Sequence, residues 1–289
     1  MIIVITGPTC LGKSETALHV ASLINAEIVN ADAFQIYKEL DIGVNKPPKE
    51  YFSKVPHHLF SFVEPSKSYS IKDYQSDLRK CLDDIFSRNK NVVIVGGSGL
   101  YIRSSLYDYE FKENEPIDMS RYLGLDNESL HKELELIDPE QAKIIHLNNR
   151  KRVLRAIEIY LQNNKTKSEI ISEQKHSLIY KDTYFFVKSH DREVLYDNIN
   201  KRVDLMMKKG LLNEVKSLYE KYGDVQALQA IGYKEFIPYF KGETSLDNVI
   251  EEIKKHTRNY AKRQMTYIRH QFPVIFYNND EDILKVIKK

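Results

Sequence analysis

The stretch that most constrains this chain lies at its start. Ile2-Ile3-Val4-Ile5-Thr6 is a short, largely β-branched run, followed by Gly7-Pro8-Thr9-Cys10-Leu11-Gly12-Lys13-Ser14 and then Glu15-Thr16-Ala17-Leu18. Strand, glycine-bounded turn and helix start follow one another in the context that makes G-x-x-x-x-G-K-[ST] a phosphate-binding P-loop. Gly7 and Gly12 permit positive φ and leave room for phosphate oxygens against the backbone. Loop amides and the N-terminus of the following helix offer donors and partial positive charge to an anion. Gly7, Pro8, Thr9, Cys10, Leu11, Gly12, Lys13 and Ser14 are therefore the expected diphosphate- or nucleotide-binding set. Lys13 adds a full charge, and the Ser14 hydroxyl is the expected Mg2+ ligand. The loop implies that a di- or triphosphate binds. It leaves open which bond of that group breaks.

The rest of the chain supplies the sheet such a loop needs. With 289 residues, 42% of them hydrophobic, there is enough apolar material for one core plus an insert. After a helix predicted from Lys13 to Ile24, Glu27-Ile28-Val29-Asn30 reads as a buried strand. Ligands in open α/β sheets collect beyond the carboxyl ends of strands, so Asp32 is delivered to the P-loop rim. Pro56-His57-His58-Leu59-Phe60 reads as a short edge strand, after an irregular stretch reaching Pro48. Ser70, with Asp73 three residues on, caps a helix carrying Leu78, Leu82, Ile85 and Phe86 at helical spacing. Asn91-Val92-Val93-Ile94-Val95 is another buried strand, and Gly96-Gly97-Ser98-Gly99 turns it into a helix at the same rim.

From Glu110 to Asp118 the chain is charged and broken by proline, and helical periodicity resumes at Ser129–Leu136, Pro139–Ile145 and Arg150–Leu161. Tyr184–Lys188 reads as a strand returning to the sheet. Helices over Arg192–Lys209 and Leu211–Tyr222 flank Gly210, and a long one from Ser245 to Gln271 stops before Pro273 and a last strand, Val274–Tyr277. The alternation predicts an α/β fold: a P-loop NTPase-like parallel sheet with helices on both faces. Residues 1–110 and 184–289 form the expected catalytic core, and 111–183 a small helical insert.

Composition excludes several classes. The formal net charge is +2, from 43 basic and 41 acidic residues, so any nucleic-acid site must be a local patch. Two cysteines, Cys10 and Cys81, suggest a reducing compartment rather than a disulfide framework. The apolar start is too short to span a membrane and is consumed by the first strand. A cytoplasmic monomer with no membrane partner is expected. His57 and His58, adjacent and without matching Cys or acidic spacing, read as structural.

Three chemistries share a P-loop. A motor ATPase or G protein needs an acid after a hydrophobic strand, but Val92–Val95 runs into glycines. A small-molecule kinase needs a base near the acceptor, and Asp32 would serve. The third is alkyl transfer with diphosphate as leaving group, and here the residues become specific. The P-loop, Asn30-Ala31-Asp32-Ala33-Phe34-Gln35-Ile36-Tyr37 and Asp41-Ile42-Gly43-Val44-Asn45-Lys46-Pro47 resemble the tRNA dimethylallyltransferase family. The likeness continues through Pro56-His57-His58-Leu59, Tyr69-Ser70, Val95-Gly96-Gly97-Ser98-Gly99-Leu100-Tyr101, Gly232-Tyr233 and Tyr260-Ala261-Lys262-Arg263-Gln264-Met265-Thr266, in the family's order.

The resemblance implies transfer of a dimethylallyl group from its diphosphate to the exocyclic amine of the adenosine 3′ of the anticodon. The implied tRNAs read codons that begin with U, and the implied partner is the anticodon stem-loop. Asp32 corresponds to the family's aspartate and Ser98 to the hydroxyl of its glycine-glycine-threonine turn, which makes these two the expected catalytic residues. Asp32, Ala33, Phe34, Gln35 and Ser98 are expected to meet the flipped base, with the Gln35 amide reading its edge. Lys151, Arg152 and Arg155, on the helix returning from the insert, are expected phosphate contacts, and Lys255, Arg258 and Lys262 are a second basic group. Ala33 stands where the family usually has serine, Ser98 replaces threonine, and Lys234 stands where arginine is common. Free adenylate as acceptor and small-molecule phosphorylation are the alternatives.

Overall fold

The computed structural model describes residues 1–111 and 117–288, so part of the charged run from Glu110 to Asp118 lies outside the described residues. The chain divides into two compact units, residues 1–106 with 180–289 and residues 107–179. The strands are β1 (Ile2–Thr6), β2 (Ala26–Asn30), β3 (His57–His58), β4 (Asn91–Val95), β5 (Thr183–Lys188) and β6 (Val274–Tyr277). The helices of the first unit up to its break are α1 (Lys13–Leu23), α2 (Lys49–Lys54), α3 (Ile71–Ser87) and α4 (Gly99–Leu106). The second unit holds α5 (Ser120–Leu123), α6 (Asn127–Ile137), α7 (Pro139–Ile144), α8 (Arg150–Asn163) and α9 (Lys167–Glu173). The first unit then resumes with α10 (Arg192–Lys208), α11 (Leu211–Tyr222), α12 (Ile237–Phe240), α13 (Leu246–Gln271) and α14 (Asp280–Ile287).

The sheet runs β3-β2-β4-β1-β5-β6, and every pairing is parallel. Parallel strands covered on both faces read as near-continuous apolar runs, and β1 and β2 are buried at every position. Ile3 and Ile5 of β1 join Ala17, Val20 and Ala21 of α1 in one core cluster. Ile2 and Val4 alternate with them onto the opposite face of the sheet and are just as deeply buried. The expected parallel α/β fold is the fold found.

Local departures have local causes. The edge strand expected over Pro56–Phe60 shrinks to His57–His58, because Leu59 and Ser61 take left-handed φ of 60° and 49° and turn the chain away. Ser70 and Asp73 form the capping box at the start of α3. The two histidines are held structurally: His58 pairs with Glu27 at 2.7 Å, and His57 Nδ1 meets the Val55 carbonyl at 2.7 Å. Among the described residues no helix is long and apolar enough to cross a membrane.

The second unit has its own small core of Tyr122, Leu130, Leu134, Ile145, Val153 and Ile157. Tyr107 bridges Leu178 antiparallel, and the Asp108 carboxylate accepts the Ser177 amide at 2.8 Å, which brings the unit's two ends together.

Candidate active site

The carboxyl ends of β1, β2 and β4 bring three turns to one rim. The first is the P-loop, where Gly7 and Gly12 take φ of 129° and 72° and Gly12 caps α1. Cys10 also sits in the left-handed region, at φ 67°. Lys13 Nζ folds back onto the Pro8 carbonyl at 2.6 Å. Burial pulls its pKa down to about 8, opposed by the nearby Asp32 charge.

The second turn follows β2. Buried Asn30 fixes it, accepting the Asp32 amide at 2.9 Å and donating to the carbonyls of Asp32 and Leu59 at 3.1 and 2.9 Å. Asp32 Oδ1 accepts the amides of Phe34 at 2.9 Å and Gln35 at 3.3 Å. This is an Asx turn of the kind aspartate favours. Among the described residues nothing donates to Oδ2, so one oxygen holds the turn and the other is open.

The third turn is Gly96-Gly97-Ser98. A Cβ on Gly96 would run into the Ala31 carbonyl, and one on Gly97 into the Gln264 amide, so both glycines are there for close approach. Gln264 donates to the Gly97 carbonyl at 3.0 Å and thereby fixes α13 to the rim.

These turns open on a cavity of about 730 Å³. Thr9 through Ser14 line it, with Asp32, Phe34, Gln35, Gly43 through Pro48, Gly96 and Gly97. The P-loop and Asp32, far apart in sequence, thus face one space. Ser98 and Ala33 do not line the cavity. The Ser98 hydroxyl accepts the Ala33 amide at 3.0 Å, which ties it to the turn that carries Asp32. Burial, with the Asp32 charge second, pushes the Tyr260 hydroxyl up to about 12. Gln35 uses its NH2 group on the carbonyls of Val44 and Asn45, at 3.0 and 3.1 Å, so any base reading falls to its amide oxygen.

Lys151, Arg152 and Arg155 lie exposed on α8 of the second unit, Arg155 paired with Glu158 at 2.6 Å. In the other basic group Arg258 donates to Asn200 at 2.6 Å, which ties α13 to α10, and Lys255 pairs with Glu252 at 2.9 Å.

Sequence reasoning misses Arg202 of α10. Its guanidinium hydrogen-bonds Thr9 of the P-loop and lies 3.6 Å from Cys10 Sγ, and it lines the cavity with Lys46, Lys209 and Arg263. No spacing signal marks one arginine among many on a helix so remote from the loop. Arg263 does fall inside the Tyr260–Thr266 block, which gives it a place but no role.

A parallel sheet with a P-loop at its carboxyl rim, facing an aspartate and several cations, defines an α/β protein of the P-loop class. The IPP transferase family model matches residues 35–271. The chain belongs to the IPP transferase family and is a transferase. The tRNA dimethylallyltransferase of Bacillus subtilis (strain 168) is 43% identical over 295 residues, covering 100% of this chain and 94% of that protein. The solved tRNA delta(2)-isopentenylpyrophosphate transferase from Staphylococcus epidermidis matches with a TM-score of 0.73 at 40% identity, over 99% of this chain and 97% of that one. A eukaryotic dimethylallyltransferase acting on tRNA matches with a TM-score of 0.82 at 31% identity, over 96% of this chain and 74% of that one.

Proposed function

We propose that this chain transfers a dimethylallyl group from dimethylallyl diphosphate to the exocyclic amine of the adenosine 3′ of the anticodon, in tRNAs reading codons that begin with U. The observation that carries this is the one cavity shared by the P-loop and the open oxygen of Asp32. The N–C bond forms as the C–O bond to diphosphate breaks, and the amine proton passes to Asp32 Oδ2. An adenine amine is far too weak an acid for a carboxylate of ordinary pKa, about 3.9, to deprotonate beforehand. Asp32 must therefore take the proton as the new bond makes the nitrogen acidic, which is general-base catalysis worth ~10²–10⁴-fold. Negative charge grows on the departing diphosphate, where Lys13, Arg202 and the loop amides stabilise it.

The oxygen donor set at the loop suits Mg2+. That ion keeps several waters and is usually held by few protein oxygens plus substrate phosphates, and Ser14, at the cavity wall, offers one hydroxyl. Bound there with the diphosphate, it would neutralise leaving-group charge.

The acceptor base must leave its stack, which is easiest in a loop. Phe34 offers a ring and Gln35 an amide oxygen to it, while Ser98 and Ala33 hold the Asp32 turn from behind. Lys151, Arg152 and Arg155 are the proposed phosphate contacts. Converting all three to alanine should lower tRNA affinity and flatten its salt dependence, by about one in slope for each phosphate no longer neutralised. The setting is the cytoplasm, and the working form is a monomer.

The test is a filter assay with labelled dimethylallyl diphosphate and three acceptors, unmodified tRNA, AMP and no acceptor, beside a parallel ATP arm. Label should enter tRNA alone. Label in AMP, or a phosphorylated acceptor in the ATP arm, would displace this reading.

A further inference from the structure

The loop over residues 41–48 walls the cavity from Gly43 to Pro48, yet its backbone is held mainly by side chains from other elements. Glu214, in the first turn of α11, accepts the amides of Asp41 at 3.2 Å, Ile42 at 2.8 Å and Gly43 at 3.1 Å. The same carboxylate accepts the Tyr233 hydroxyl at 2.6 Å. Burial, and then the Glu214 charge, hold that hydroxyl well above its usual range, so it stays a donor. A Cβ on Gly43 would overlap the Tyr233 ring, so the loop rests directly on it. From the other side Gln35 donates to the Val44 and Asn45 carbonyls. Lys46 Nζ closes the turn, donating to the Tyr37 carbonyl at 2.7 Å and pairing with Asp41 at 2.9 Å.

The far end of α11 makes a second tie, as Lys221 and Tyr222 hold Glu39 at 2.9 and 2.7 Å. The connection runs on to the candidate base, because the Gln35 backbone amide donates to Asp32 Oδ1 at 3.3 Å. Asp32, Gln35, the loop and Glu214 are therefore one continuous hydrogen-bonded chain. The phosphate side is built differently, from loop backbone, Lys13 and Arg202.

We propose that Glu214 is a positioning residue for the acceptor: it fixes loop 41–48 as the wall that presents the adenosine amine to Asp32, and takes no part in holding the diphosphate. The proposal rests on the transfer reading above. An attacking nitrogen must lie near 3–3.5 Å from carbon and within hydrogen-bond reach of its base, so a wall displaced by about 1 Å costs on the order of 10²-fold in rate. The same displacement leaves the P-loop where it is.

The test is steady-state prenylation of tRNA by the full chain and by Glu214→Ala, Glu214→Gln and Gly43→Ala, with dimethylallyl diphosphate affinity measured separately without tRNA. Glu214→Ala should lose on the order of 10²-fold in kcat/KM for tRNA, with diphosphate affinity unchanged. Glu214→Gln should fall between, since its amide oxygen still accepts while its NH2 faces donors. Gly43→Ala pushes the same loop off Tyr233, and the double variant Glu214→Ala/Gly43→Ala should lose less than the product of the two single losses. Wild-type kcat/KM for tRNA in Glu214→Ala, or a parallel loss of diphosphate affinity, overturns the proposal. Should Glu214→Ala not fold, Glu214→Gln and Gly43→Ala carry the same comparison. A wild-type protein that leaves tRNA unprenylated overturns the transfer reading, and this proposal with it, which separates the two failures.

Discussion

The proposed phosphate side of the cavity and its proposed acceptor side are stabilised by different means. The P-loop gets its shape from its own backbone: glycines in left-handed φ, a helix N-terminus behind them, and strands that fix the turn's ends. The proposed acceptor wall gets its shape from side chains outside it, Gln35 nearby in the chain and Glu214 on distant α11. The fold of the P-loop backbone is written locally, although Arg202 reaches Thr9 from α10, and the wall is assembled. The first should therefore keep its backbone shape through side-chain changes that spare its glycines, and the second should lose its shape when Glu214 is removed.

The largest effect that would sharpen this contrast is at their meeting point. Asp32→Asn keeps an acceptor oxygen for the Phe34 and Gln35 amides, so the turn should hold while turnover falls by ~10²–10⁴-fold. Single-turnover kinetics with tRNA binding measured alongside checks it; wild-type turnover would remove Asp32 from the chemistry. Next, Gly96→Ala drives a methyl into the Ala31 carbonyl and should destabilise the rim by about 1–3 kcal/mol, read by denaturant unfolding.

A pH experiment breaks the two sides apart. Lys13, with its pKa lowered to about 8 by burial, carries its charge below that value and loses it above. Dimethylallyl diphosphate affinity should therefore weaken as pH rises past about 8, by up to about tenfold per pH unit, with a proton taken up on binding. Lys13→Arg, always charged, should flatten that profile. The smallest effect is at Ser98: Ser98→Ala leaves the Ala33 amide without its acceptor and should cost about 0.5–1.5 kcal/mol in stability, while Ser98→Thr restores it.

The same division decides what can be read from the chain. Strand–loop–helix spacing, β-branched runs and the Ser70–Asp73 capping box are short-range signals, so the sheet, α1, α3 and the approach of Asp32 to the P-loop are all legible. Ser98 reads in sequence as a ligand-facing hydroxyl, because its turn points to the rim. The Ala33 amide takes up that hydroxyl, and no spacing rule reports it. Arg202 on Thr9 and Glu214 on Ile42 join residues 193 and 172 positions apart. Each is one charged side chain on an amphipathic helix, indistinguishable in sequence from its solvated neighbours.

Departure of diphosphate from carbon, rather than transfer of a phosphoryl group, is the claim on which everything else here depends. The most direct measurement uses dimethylallyl diphosphate carrying ¹⁸O in the bridging C–O–P position, with tRNA, Mg2+ and the full chain. All of the heavy oxygen should leave with the released diphosphate, one for each prenylated adenosine. Heavy oxygen retained on a prenyl alcohol, or a phosphoryl group found on the acceptor, would contradict it.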